Sequence, residues 1–485
     1  YKYGERDNAP KNSIVYWNVT TVTVTGLSPD TTYYYDIEGI YESDTATASF
    51  SFVEYNKTLG YDRDYFTFKT AKSADSDKFE FLTIADIQGM IQGMYSDSFN
   101  AVKALLANDA TKNFDFILNA GDMCDNGKNF NQWAMALNTY QTLFANTSMF
   151  FAAGNHESGS NALTNYFNYS MEEGQTTADG AYYSFDYANA HFVVLNTNDA
   201  DNNGLGQAQL AWLTEDLKNS DSKWKFVLMH KSLYSGGSHS TDSEVVAMRA
   251  QLQKLFAETG VTIVFGGHDH TYTSTYLVDQ NGNVTDKSND AEIKSSGDGV
   301  LYITLGTMGT KFYTYKPNDD ISGNFDEDNS LLDTLSSQPF GKVVVEGDVL
   351  TYTGYQYDSK TNTIKTIGES TKLKAISKET TGLSLGAKIA IGVVVPVVIL
   401  AVAAVVIIIV VKKQQEKKRL EALRRKKIAA LKRAKLEAMA REAKECGIET
   451  DSESTSVQTE QPASEQPSYD IATADNSDSP KTQTE

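Results

Sequence analysis

The chain has 485 residues, with 43 Lys and Arg against 63 Asp and Glu and a net charge of −20, so it lacks the basic footprint of a nucleic-acid-binding protein. At 40% apolar and 11% aromatic residues it can bury a core and is not a disordered chain. Its two cysteines, Cys124 and Cys446, exclude a disulfide-stapled scaffold and a four-thiolate zinc site.

Residues 1–71 alternate in β fashion. Short strands are predicted over 14–17, 22–24, 33–37 and 65–68, separated by turn chemistry such as the Gly-Leu-Ser-Pro-Asp stretch at 26–30. They imply a small β-sandwich. It is short for a full domain, and with Tyr1 first and no leader-like stretch the sequence reads as a piece whose start is missing. Residues 72–78 read as a linker.

From Phe79 the pattern changes. Apolar runs of strand length at 79–85, 114–118, 149–153, 224–229 and 261–265 alternate with helical stretches at 97–109, 129–145, 207–218 and 244–258. Alternating strands and helices imply a layered α/β domain, here 79–360. Residues 281–338, with an acidic stretch at 318–328, read as an insertion or mobile loop, and runs at 342–346 and 349–357 read as strands closing the sheet.

The C-terminal part holds 23 uncharged residues at 389–411, dense in Val, Ile and Ala, or about 35 Å as a helix. They predict a single transmembrane helix. The Lys- and Arg-rich helix expected over 412–445 lies on the cytosolic side, followed by a disordered tail, 446–485. Residues before the span are then extracellular or lumenal, a single-pass type I arrangement. Five Asn-x-Ser/Thr sequons, at Asn18, Asn56, Asn146, Asn168 and Asn283, all precede it as candidate glycosylation sites.

In α/β sheets ligands gather beyond the carboxyl ends of the strands, and each of the five apolar runs ends in candidate metal ligands. Asp86 and Gln88 follow the first, and Asp122 in a Gly-Asp pair follows the second. Gly-Asn155-His156-Glu157 follows the third, His230 ends the fourth, and Gly-His268-Asp-His270 follows the fifth. Four of the chain's six histidines lie at these ends, and His239 comes nine residues after His230. His191, inside a β run, reads as a packed residue. Carboxylate and amide oxygens mixed with imidazoles suit Mn, Fe or Zn, and Asp122 is the natural bridge between two cations. Cys124 reads as a small buried apolar residue, and Asp125 as an outer acceptor that orients a ligand.

The order Asp, Gly-Asp, Gly-Asn-His-Glu, His, Gly-His-x-His resembles the calcineurin-like metallophosphoesterase superfamily. The text at 181–186, 191–195, 209–213, 227–230 and 264–268 is similar to purple acid phosphatases, and 23–37 resembles a fibronectin type III signature. The resemblance implies an αββα sandwich after a β-sandwich domain. It also implies two divalent or transition metal ions and hydrolysis of small phosphomonoesters by in-line attack of a metal-bound hydroxide. By the same analogy one ion is held by Asp122, Asn155, His230 and His268, and the other by Asp86, Asp122 and His270. His156 then meets the phosphate and leaving group, and His239 is an outer substrate contact.

Three departures from the family's pattern stand out. Asp125 replaces the tyrosine three residues after the bridging aspartate, which implies a colourless enzyme. Gln88 replaces a histidine and offers a neutral carbonyl oxygen, a weaker ligand than imidazole. Thr273-Ser274 replaces a Glu-Arg pair. A phosphodiesterase or nucleotidase of the same superfamily, and a surface adhesion or receptor protein with a degenerate site, are the alternatives.

Overall fold

Apolar runs without polar alternation belong to strands buried on both faces, and the layering here shows both faces covered. The computed structural model describes residues 2–3, 15–16, 19–43, 46–51, 66–167, 169, 174–177, 179–293, 298–331 and 337–376. All of them lie in one compact unit, Tyr1–Thr380. The predicted span 389–411, the basic helix 412–445, the tail 446–485 and the sequons at Asn18, Asn56 and Asn168 lie outside the described residues. Among the described residues no helix is long and apolar enough to cross a membrane.

Two sheets stack face to face. The first runs in the order Asp290–Ile293, Thr363–Ala375, Val349–Asp358, Ser337–Glu346, Lys78–Ile84, Phe116–Asn119, Ser148–Phe151. Its last three strands are parallel. The second runs Tyr183–Tyr187, Ala190–Val194, Trp224–Lys231, Ile263–Gly267, Leu301–Leu305, Tyr272–Ser274, with a parallel centre.

Side chains alternate between layers with period two, as strand geometry requires. Phe79, Phe81, Phe116 and Leu118 meet Phe192, Phe226, Leu228 and Phe265 between the sheets. The intervening Leu82, Ile84 and Ile117 face helices Gln92–Ala107 and Phe130–Thr139. On the far side Val193, Val227, Met229 and Val264 face helices Gln207–Asn219 and Ser243–Thr259. This is the αββα arrangement. Phe81 anchors its centre, stacked on Phe116 at 5.1 Å and edge-on to Phe226 at 5.2 Å. Lys225 reaches back between the outer helices, its Nζ donating to Leu217 O and Thr259 O at their C-termini, where a cation is favoured.

Several expected elements differ. The helix expected over 129–145 breaks at Tyr140 into Phe130–Thr139 and Gln141–Phe144. The segment 281–338 is no mere insertion: Leu301–Leu305 is a fully buried strand between Ile263–Gly267 and Tyr272–Ser274. Its Leu-Tyr-Ile-Thr-Leu run is set in a long polar stretch, and its burial comes from the strands on either side. The strand Thr363–Ala375 carries the first sheet past residue 360; its apolar residues Ile364, Ile367 and Leu373 are unevenly spaced, and its pairing with Val349–Asp358 slips between Tyr352 and Gly354, so no clean alternation shows.

The expected N-terminal β unit is described only in part. It shows three two-stranded ladders: Lys2–Tyr3 with Val15–Tyr16, Thr32–Tyr35 with Phe66–Lys69, and Glu38–Ser43 with Ala46–Ser51. The run 22–24 joins no ladder there, and Val22 and Val24 are 77% and 61% exposed; alternation alone does not make a strand without a partner edge. The middle ladder docks on the αββα layers. Tyr35 donates its hydroxyl to Ala145 O at 2.6 Å, and Asn146 Oδ1 accepts from the Thr67 amide and hydroxyl at 3.0 Å each. The sequon residue Asn146 is thus tied in, its Nδ2 donating to Thr142 O, whereas Asn283 sits exposed in a turn held by Asp279.

Candidate metal centre

Four of the predicted ligand positions carry left-handed backbone: Asp86 at φ 51°, Gln88 at 44°, Asp122 at 52° and His268 at 72°, a region that non-glycine residues rarely occupy. The turns after the first two parallel strands hold one another in that shape. Asp86 N donates to Gly121 O, Gln88 N to Asp122 O, and Asp125 N to Gly89 O. Glycine is required where chains press closest. A Cβ on Gly154 would lie 2.0 Å from Asp122 Oδ1, and one on Gly267 would lie 2.3 Å from Asp86 Oδ2.

His230, fully buried, donates its Nδ1–H to Ala120 O at 2.8 Å. That turns Nε2 toward Asn155 Oδ1 at 2.9 Å and Asp122 Oδ2 at 3.3 Å. Three acceptors converging in a buried site need positive charge between them. Burial pulls the His230 pKa down, but the Asp122 and Asp86 carboxylates outweigh it and push it up to about 9, so a proton sits where a cation would. Burial alone would raise the Asp122 carboxyl; His230 and His156 overcome it and hold it at about 2. His268 is kept neutral, lowered to about 2 by burial and the nearby His230 and His239. The ligand atoms of Asp122, His230 and His268 lie within 4.8 Å of one another. A carboxylate, an amide oxygen and two imidazoles fit one transition-metal ion.

Asp86 and His270 form the other half. His270 Nδ1 bonds to Lys311 O, which aims Nε2 at Asp86 Oδ1, 3.5 Å away, and Tyr313 stacks on the ring at 4.4 Å. Burial raises the Asp86 carboxyl against the opposing pull of His270 and His230, and both its oxygens accept from His268 N at 3.1 Å. Asp86, Asp122 and His270 do not close to the mutual distance of the first group. The other His/Asp group of that tightness among the described residues is His239, Asp242 and His268, with His239 Nδ1 2.8 Å from Asp242 Oδ2.

Residues 79–272 match the calcineurin-like phosphoesterase family. The matched segment belongs to the calcineurin-like metallophosphoesterase superfamily. It is related to purple acid phosphatases. Purple acid phosphatase 23 of Arabidopsis thaliana is 41% identical over 95 residues, 19% of this chain and 20% of the relative. Purple acid phosphatase 21 of the same plant is 27% identical over 212 residues, 41% of this chain and 45% of the relative. The chain therefore spans less than half the length of these two curated relatives. The structure of purple acid phosphatase PPD1 from yellow lupin superposes with a TM-score of 0.54 at 18% identity, covering 74% of this chain and 64% of that one, a likeness of fold.

In this metallophosphoesterase domain the remaining predicted residues fall around the two halves. His156 is 28% exposed at the rim; its backbone N donates to Asp122 Oδ1 and its Nδ1 bonds to Asp125 O. The His239 ring lies 4.2 Å from that of His268. His191 is packed away from the centre, between Asp186 Oδ1 at 2.7 Å and Asp216 Oδ2 at 2.8 Å. Cys124 is buried with its thiol raised by burial, which makes it an inert filler.

Glu157 is the residue that sequence reasoning missed. Its buried carboxylate accepts four backbone N–H groups: Asp122 and Gly154 on Oε2, Met123 and Cys124 on Oε1. It pins the second and third ligand turns together. Burial, then the Asp122 charge, raises it to about 7 despite those donors. An acid beside a predicted catalytic histidine was the available signal; nothing in the spacing says that it turns back onto residues 122–124.

Proposed function

We propose that this chain is a metal-dependent phosphomonoesterase whose catalytic domain faces the extracellular or lumenal side, anchored by the apolar run 389–411. The observation that supports it most is the convergence of Asp122 Oδ2, Asn155 Oδ1 and His230 Nε2 beside a neutral His268.

Asp122, Asn155, His230 and His268 would hold one Mn, Fe or Zn ion, and Asp86, His270 and Asp122 a second. Bound there, such ions supply Lewis acidity and a nucleophile at neutral pH. The chain's own groups do the rest. Glu157 keeps the ligand turns in register. His156, at the rim with its Nδ1 engaged by Asp125 O, is placed to protonate the leaving oxygen. His239, oriented by Asp242, turns its other nitrogen to the substrate. The acidic surface opposes an anionic substrate only within a Debye length of about 8 Å, and locally the cations dominate.

The test is hydrolysis of a chromogenic phosphomonoester by the purified full chain with Mn²⁺ or Zn²⁺. Asp122→Asn and His156→Ala should each lower the rate at least ~100-fold. Equal turnover by both variants and the natural chain would refute the assignment, and a preference for a chromogenic diester would move it to the diesterase class.

A further inference from the structure

Gln88 and Asp125 occupy two of the three places where the sequence departs from the resembled pattern, and the structure brings them together. Gln88 Nε2 lies 3.3 Å from Asp125 Oδ1, and it also packs against the His156 imidazole, 2.7 Å from Nε2 and 3.4 Å from Nδ1. Two such similar distances place the amide beside the ring rather than in line with the Nε2 lone pair. The amide therefore does not take up that direction, while the other nitrogen is fixed by Asp125 O.

The carboxylate decides which way the amide faces. An N–H donates to Asp125; the flipped amide would set two acceptors against each other at the same distance. With the nitrogen so turned, Gln88 Oε1 is left buried with no hydrogen-bond partner. Buried carbonyl oxygens are ordinarily paired, and this one sits two residues past Asp86 in the same left-handed turn.

Building on the phosphoesterase reading, we propose that Gln88 and Asp125 act as one device. Asp125 orients the Gln88 amide so that Oε1 is a neutral oxygen ligand for the cation at Asp86 and His270, while the same amide braces His156. A ligand of the second ion is thereby linked to the residue that meets the leaving group. Gln88 is a positioning residue toward His156, and Asp125 toward both.

The test is calorimetric titration of the chelator-stripped full chain with Mn²⁺. The natural chain should show two binding classes of unequal affinity. Gln88→Leu should lose the weaker class and Asp125→Ala should weaken it about tenfold, both leaving the tighter class unchanged; that class also reports that each variant is folded. Gln88→His should restore the weaker class. Selective ¹⁵N labelling of the six histidines supplies the second readout: the His156 signals should shift in Gln88→Leu and Asp125→Ala and not in variants remote from the centre. An unchanged weaker class in Gln88→Leu, or an unshifted His156, would overturn the proposal. A chain that binds Mn²⁺ in this way and hydrolyses no phosphoester would sink the functional reading and leave this one standing.

Discussion

Two buried histidines in this molecule sit against carboxylates, and only one of them looks like a metal ligand. His191 has each ring nitrogen matched to one carboxylate, Asp186 and Asp216, and Asp216 is further capped by Ser184. Every group there is satisfied by a single proton on each nitrogen. His230 gives one nitrogen to a backbone carbonyl and points the other at two oxygens, with a second imidazole close by. There acceptors outnumber protons. A closed arrangement stabilises a fold, and an open one calls for a cation; burial and nearby charge alone do not separate them.

The comparison can be broken by substitution, and the largest effect belongs to the open site. His230→Ala should cost more than about 100-fold in affinity for the tighter cation, while His191→Asn should leave it unchanged. The natural chain should also release close to one proton per cation at about pH 7.5, between the ordinary imidazole value and the raised one, and little above about pH 10. Calorimetry in buffers of different ionisation enthalpy reads this directly. No release at the lower pH would mean that no proton stands in for the ion.

Glu157→Gln comes next. It exchanges an acceptor of four amides for a group with one oxygen, so denaturant titration should show a loss of about 2–3 kcal/mol, with a weaker hold on the tighter cation. A variant as stable as the natural chain would show that the ligand turns keep register without it.

The smallest effect is at the closed site. Burial opposes protonation of His191, but Asp216 and Asp186 outweigh it and its pKa is raised above 6.5. The pairing therefore contributes fully below pH 6.5 and is lost as pH rises through the folded value. His191→Asn should cost about 1–2 kcal/mol at pH 6 and progressively less in alkali, as melting midpoints followed across pH would show. A constant difference would assign the loss to packing.

The strands and the residues that gather at their ends were legible in the sequence because both are local. A run such as 224–229 shows its burial in its own composition, and each of those residues follows such a run directly. What was not legible depends on partners distant in the chain. Leu301–Leu305 becomes a central strand only because Ile263–Gly267 and Tyr272–Ser274 flank it. The run 22–24 has a strand's alternation and no edge to pair with among the described residues. Glu157 is read as an organiser only once residues 122–124 are folded back over it.

The left-handed backbone at Asp86, Gln88, Asp122 and His268 bears on whether the centre is a relic. Each such residue costs roughly 1 kcal/mol or more relative to a relaxed conformation, and glycine would occupy the same torsions freely. A sequence drifting without a chemical task would be expected to relax toward glycine at these places and gain firmness by doing so. Bulky, polar side chains at all four are what a working catalyst tolerates and an idle scaffold sheds.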